Sequence, residues 1–151
     1  KTRFSARIAV ALAVVSLLPL VAIAGEKENR AELEKLAGTW QITGLESNGN
    51  AAPPQALEKF KKVDVVIKGD AMTFMEGGKA VQELKIAVVA DQSPKTIDIT
   101  ATRGGKTEVA LGIFVLEEKK MKLSTDDRGK QRPKEFSSKG EGISLLTFER
   151  K

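Results

Sequence analysis

The sequence predicts an all-β fold, an eight-stranded antiparallel barrel with short N-terminal helices. From Val63 onwards, short runs of alternating apolar and polar residues follow one another closely, as strands of a sandwich or an up-and-down barrel do. Turn pairs such as Gly77-Gly78 and Gly104-Gly105 separate the runs, and such pairs favour hairpins. No repeat or linker divides residues 25–151, so we expect them to form one domain.

The elements are predicted in order from hydrophobic periodicity. A short helix over residues 29–36 comes first, and a second helix over residues 55–62 follows the first strand. The eight strands cover residues 40–45, 63–68, 72–74, 81–89, 96–100, 107–116, 121–123 and 143–150. A polar segment, residues 125–142, lies between the last two strands.

The strand over residues 107–116 has apolar side chains at its odd positions, which include Leu111 and Ile113. We expect these two to face the barrel interior, because successive side chains of a strand alternate between its faces. The interior of such a barrel is filled by side chains or holds one small ligand. The sequence is compatible with both alternatives, a cavity and a filled core. The candidate cavity residues are Leu111, Ile113, Met72, Phe74, Leu84 and Ile86.

The polar segment contributes a further candidate residue. Arg132 is a candidate for holding an anionic group of a ligand at the barrel mouth. The alternative is structural: a salt bridge from Arg132 or Lys134 to Glu135 fixes the loop. The pair Asp126-Asp127 lacks the periodic oxygen ligands of a calcium loop, so turn formation explains it better. We therefore predict no metal site.

The composition excludes several kinds of active site. The chain contains no His and no Cys, which excludes Ser-His-Asp triads, cysteine nucleophiles and zinc or copper sites with those ligands. Tyr is also absent and aromatic residues make up 5% of the chain, so stacking platforms for bases or sugars are poorly supplied. We expect a protein that is not an enzyme, has no catalytic residues and uses no cofactor.

The first 24 residues have the order of a secretory signal peptide. Basic residues precede an uncharged stretch, residues 8–24, which ends in Ala22-Ile23-Ala24. A basic region, an apolar region and an A-x-A site are the pattern that a signal peptidase cleaves. We expect cleavage after Ala24 and a product in the periplasm or outside the cell, with no stable membrane insertion. A retained anchor is the alternative, but the stretch is shorter than the about 20 residues that span a bilayer.

The net charge of the full chain, +5, is higher than that of the chain without the predicted signal peptide. Three of the 25 basic residues lie in the predicted signal peptide, and none of the 20 acidic residues does. The remaining 22 basic and 20 acidic residues give a net charge of +2. A nucleic-acid partner requires a concentrated basic face, which the sequence does not contain. We therefore expect no nucleic-acid partner.

One motif links the two ends of the barrel sequence. Gly38-x-Trp40 follows a short helix, and Arg150 ends the last strand. This arrangement resembles the lipocalin signature. In lipocalin-like barrels the Trp lies across the closed end and an Arg of the last strand stacks on it. The resemblance implies that Trp40 and Arg150 close the barrel and have a structural role.

A closer resemblance covers residues 33–151. It is carried by Leu36-Ala37-Gly38-Thr39-Trp40, Gly69-Asp70, Ser93-Pro94-Lys95-Thr96-Ile97-Asp98-Ile99, Gly112-Ile113-Phe114, Arg132-Pro133-Lys134-Glu135-Phe136 and residues 146–150. These segments are similar to a small lipocalin-like domain family of unknown function, found mainly in planctomycete bacteria. Phe114 stands where that family usually has Tyr. Because the family has no established activity, the resemblance implies a fold and no function.

Two hypotheses of function follow. The first is an exported, monomeric, non-enzymatic binding module that holds a small apolar or amphipathic ligand inside the barrel. The second is a protein–protein interaction module with a filled barrel core, which binds a partner of unknown identity through its surface or through residues 125–142. A cavity that opens at one barrel end would favour the first hypothesis, and a filled interior the second.

Overall fold

A computed structural model describes the backbone of residues 20–151 and the side chains of residues 25–151. The predicted signal peptide therefore lies outside the described side chains. The described elements are α1 (Leu20–Leu36), β1 (Gly38–Ser47), β2 (Asn50–Ala51), α2 (Pro54–Phe60), β3 (Val63–Lys68), β4 (Ala71–Glu76), β5 (Lys79–Val89), β6 (Lys95–Arg103), β7 (Lys106–Glu117), β8 (Lys120–Asp126) and β9 (Ile143–Arg150). Neither described helix has the length and apolar character needed to cross a membrane.

Eight strands form a closed antiparallel barrel in the order β1-β3-β4-β5-β6-β7-β8-β9, and β9 pairs back with β1. The predicted fold class is thus confirmed. The remaining strand, β2, is a two-residue extension that pairs with the end of β1. Closure leaves no long unpaired sheet edge in the barrel, which removes a template for aggregation.

The hairpin turns follow from their residues. Gly77-Gly78 and Gly104-Gly105 both have positive φ at their two positions, the backbone that a two-residue type I′ turn requires and that glycine adopts without strain. They join β4 to β5 and β6 to β7 at the same end of the barrel. We call this the open end.

The opposite end is closed by α1. The Glu32 carboxylate is buried and accepts hydrogen bonds from Lys95 Nζ at 2.7 Å and Lys35 Nζ at 3.2 Å. Asn29 Oδ1 accepts a hydrogen bond from the backbone N–H of Ala90 at 2.8 Å. Burial raises the pKa of Glu32, but the bonds from Lys95 and Lys35 outweigh it, so the pKa lies below its ordinary value. These contacts fix the helix against the barrel.

The barrel core is built from the inward side chains of all eight strands and from Leu36 of α1. Alternation places every second residue of each strand in this core. Its buried members are Leu36, Trp40, Ile42, Val65, Ile67, Met72, Ile86, Val88, Ile97, Phe114, Met121, Leu123 and Phe148.

The structure corrects the predicted facing of β7. Phe114 belongs to the barrel core and Ala110 lines the interior, so the even positions face inward and Leu111 and Ile113 face outward. Ile113 is nevertheless only 2% exposed, because the polar segment covers the outer face of this strand. A strand that is buried on both faces reads as a continuous apolar run, so its own residues do not identify its inner face.

The covering segment, residues 127–142, is anchored at Asp126. The Asp126 carboxylate is fully buried and accepts hydrogen bonds from the backbone N–H groups of Arg128 and Gln131 and from Arg128 Nε, at 2.9 to 3.1 Å. Burial raises the pKa of Asp126, but the Gln131 N–H and the Arg128 donors outweigh it and lower the pKa to about 2. The turn predicted at this position is therefore present.

Candidate functional site

A cavity of about 300 Å³ occupies the open half of the barrel interior. Its walls are apolar and come from six consecutive strands, β4 to β9. The wall residues are Met72, Phe74, Leu84, Ile99, Ala101, Ala110, Leu123, Leu146 and Phe148. Four polar side chains complete the lining, namely Gln82, Glu108, Thr125 and Asp127.

Two alanines account for the space. Ala110 of β7 lies opposite Ile99 of β6, and Ala101 of β6 lies opposite Glu108 of β7. Both alanines line the cavity, whose other apolar wall residues are Met, Phe, Leu and Ile. Because an eight-stranded interior is just wide enough for side chains to fill it, methyl groups at these two positions leave a void that reaches the open end.

The structure brings together some of the predicted cavity residues and separates others. Met72 and Phe74 lie side by side on the wall, with Leu84 beside them. Leu111 and Ile113 do not line this cavity, because they lie on the outer face of β7. Ala101 lies one residue beyond the predicted strand 96–100, and the predicted facing of β7 placed Ala110 outward, so neither alanine was among the candidates.

Arg132 lies on the outer wall of the barrel, away from the cavity. Its Nη1 donates to the carbonyl oxygens of Gly112 at 2.7 Å and Ile97 at 3.2 Å, and its Nη2 donates to Asp98 Oδ1 at 2.6 Å. The predicted position at the barrel mouth is therefore wrong. The loop is indeed held by a salt bridge, but its partner is Asp98 of β6, a long-range contact that a search among sequence neighbours such as Glu135 does not reveal.

The rim of the cavity contains a fixed carboxylate. Asp127 Oδ1 accepts a hydrogen bond from Thr125 Oγ1 at 2.7 Å, and Asp127 Oδ2 accepts one from Ser144 Oγ at 2.8 Å. Ser144 Oγ in turn lies 3.0 Å from Ser47 Oγ. The hydroxyl groups of Thr125 and Ser144 orient Asp127 at the point where β8 and β9 reach the open end, and Ser47 in turn contacts Ser144.

At the closed end, Arg150 stacks on Trp40. The guanidinium carbon lies 4.2 Å from the centroid of the fully buried indole ring. Trp40 Nε1 donates to the Leu36 carbonyl at 2.8 Å, and the Arg150 guanidinium donates to the carbonyls of Lys35 and Ala37 at 2.7 and 2.6 Å. The pair thus joins the first and last strands to the C-terminus of α1.

Gly38 makes this stack possible. Its φ is +138°, and a Cβ placed on it would lie 2.6 Å from Arg150 Nη1. Any other residue would displace the guanidinium or strain the backbone. The glycine of the Gly38-x-Trp40 motif is therefore explained by the close approach of Arg150.

The remaining chemistry of the described residues is sparse. From residue 25 to residue 151, no group of three or more acidic side chains is placed to hold a metal ion. The features of the cavity that could recognise a ligand are its apolar walls and its polar rim. No family model, curated protein or solved structure matches this chain.

Proposed function

We propose that this protein is an exported, non-enzymatic binding module that takes a small apolar or amphipathic ligand into the barrel. The observation that supports this proposal is the apolar cavity of about 300 Å³ at the open end. Sites for small molecules span roughly 300–1,000 Å³, so the ligand belongs to the small end of that range. The apolar walls favour such a ligand, because each Å² of apolar surface removed from water contributes about 25 cal/mol of favourable free energy.

The interaction hypothesis has less support. It expects a filled barrel and a contiguous exposed apolar patch. The large apolar side chains that are exposed in the described part of the chain are Val81, Val89 and Val109. Val81 and Val89 lie near opposite ends of β5, and Val109 lies on β7. Such scattered residues are ordinary on a soluble surface.

The binding proposal is tested with N-phenyl-1-naphthylamine, a neutral apolar fluorophore whose emission rises in an apolar site. We expect saturable binding with one site per chain. The variant Ala110→Phe places a ring in the cavity and is expected to abolish the signal, because the interior then resembles a filled barrel. The matched control is Ala87→Phe, which makes the same change at an exposed position of β5.

The outcomes separate the two hypotheses. Loss of binding in Ala110→Phe with retention in Ala87→Phe supports a ligand in the cavity. Equal binding by both variants places the fluorophore on the surface, and the absence of binding to the parent protein contradicts the proposal. Circular dichroism of each variant checks that the barrel is folded.

Export is supported by the order of basic, apolar and A-x-A regions in residues 1–24. We expect protein recovered from the periplasm or the medium to begin at Gly25. Ala24→Arg is expected to block cleavage, because the signal peptidase requires a small residue there, whereas Ala9→Val is expected to leave cleavage unchanged. Recovery of the unprocessed chain in the cytoplasm would contradict export.

A further inference from the structure

We infer that the ligand of this cavity carries a positively charged, hydrogen-bond-donating head group, such as an ammonium, on a short apolar body. The inference rests on the proposed function and specifies the class of ligand. It follows from the polar lining, where Glu108 and Asp127 are the charged side chains and no lysine or arginine contributes to the described lining. The apolar body of the ligand packs against the apolar walls of the cavity, and its head group contacts these two carboxylates.

The hydrogen-bonding capacity of the rim points the same way. Thr125 and Ser144 each have one hydroxyl proton, and each donates it to Asp127. Because the Ser144 proton is used, Ser47 must donate its own proton to Ser144 Oγ. All three hydroxyl protons therefore form hydrogen bonds within the rim. These side chains present mainly hydrogen-bond acceptors to a ligand. A head group with several N–H donors complements this surface, whereas a carboxylate would meet like charges.

Gln82 carries the N–H donors that remain among the lining side chains, and one amide does not offset two carboxylates. Two cations, Arg103 and Lys106, lie at the tip of the β6–β7 hairpin beyond the lining. Among the salt bridges of the described residues, none joins either cation to Glu108. The two charged side chains that line the cavity are therefore both anionic, which favours a positively charged ligand even though the predicted exported chain has a net charge of +2.

The test uses three probes that share one tail and differ only in the head: n-octylamine, n-octanol and n-octanoate. At pH 7 their heads are cationic, neutral and anionic. Calorimetric titration of the exported form should give a Kd for octylammonium about tenfold lower than that for octanoate, with octanol between them. The preference should decrease at high salt, because the rim is exposed to solvent.

Two variants locate the preference. Glu108→Gln and Asp127→Asn are each expected to reduce the ratio of octanoate Kd to octylammonium Kd by about threefold to fivefold. Glu117→Gln is the matched control, because it makes the same charge change on the same strand at the closed end. It should leave the ratio unchanged.

The results distinguish this inference from the proposed function. If the three probes bind equally, or octanoate binds most tightly, the cavity binds ligands but the inferred head group is wrong. If the ratio is unaffected by both rim variants, the inferred contact with the carboxylates is wrong. If none of the three probes binds and N-phenyl-1-naphthylamine does not bind either, the proposed function and the inference both fail.

Discussion

At the scale of single residues, Arg150 makes the contacts that close the barrel at the end opposite the cavity. Arg150 uses its planar guanidinium in two ways at once: it stacks on Trp40 and donates to two carbonyls at the end of α1. A lysine could not do both, because its ammonium is a compact point charge without a stacking face. The residue therefore connects three elements, α1, β1 and β9, through one side chain.

Replacement of Arg150 tests this role. Arg150→Met keeps the apolar stem but loses the stack, worth about 0.5–2 kcal/mol, and the charged hydrogen bonds, worth about 1.5–3 kcal/mol each when shielded from water. Since Arg150 is only partly buried, we expect a loss of about 2 kcal/mol in the free energy of unfolding, measured with urea. Arg103→Met, at an exposed hairpin tip, should change it by less than about 0.5 kcal/mol. Equal effects would contradict the role of the stack.

Asp126 gives the fold a defined response to acid. Its pKa in the folded protein, about 2, lies below its ordinary value of 3.8, so the ionised form stabilises the native state. That stability is complete above about pH 4 and is lost as the pH falls towards 2. Glu32, whose pKa is also lowered, contributes with the same sign.

We expect Asp126→Asn to lower the free energy of unfolding at pH 7 by about 2 kcal/mol, since it weakens several hydrogen bonds to a charged group. It should also flatten the decline in stability between about pH 4 and pH 2, as followed by urea unfolding at successive pH values. Asp91→Asn, at an exposed turn, serves as the control. An unchanged acid decline in Asp126→Asn would show that other carboxylates cause it.

At the scale of elements, the sequence was informative wherever one strand face was polar. The facing of β5 was predicted correctly, because Leu84 and Ile86 alternate with Glu83, Lys85 and Ala87. The facing of β7 could not be predicted from its own residues, since its outer face is covered by a segment that follows in the chain. Long-range contacts such as Arg132 to Asp98 likewise leave no local pattern. A cavity was one of the two alternatives, but its inward residue Ala110 was missed for the same reason as the facing of β7.

The covering segment, residues 127–142, is held to the barrel by Arg132. Arg132→Gln removes the salt bridge to Asp98 and the two bonds to strand carbonyls, so the segment should open more often. We expect trypsin to cleave after Lys130 and Lys134 several times faster in this variant, as monitored by mass spectrometry. Arg132 itself precedes Pro133 and is a poor site, so few cleavage sites are lost. Binding of N-phenyl-1-naphthylamine should be unaffected. A tenfold loss of affinity would show that Arg132 contributes to the ligand site.

At the scale of the whole molecule, the barrel divides into a closed half, which contains the Trp40–Arg150 stack and α1, and an open half, which contains the cavity. Leu36, Trp40 and Arg150 lie at the closed end, whereas Ala101 and Ala110 leave the open half unfilled. A cavity that is already open in the folded barrel is the arrangement that a preorganised binding site requires. Stability and binding should therefore respond to different residues.

A pair of variants tests this separation. Leu36→Ala removes a fully buried side chain at the closed end and is expected to lower the free energy of unfolding by about 2–5 kcal/mol. Below its unfolding transition it should keep the Kd for N-phenyl-1-naphthylamine within about twofold of the parent value. Ala110→Phe should do the reverse, with binding lost while the protein stays folded, because the ring occupies space that is empty. If Leu36→Ala weakened binding tenfold while still folded, the two halves would be coupled, and the closed end would have to be counted as part of the binding site.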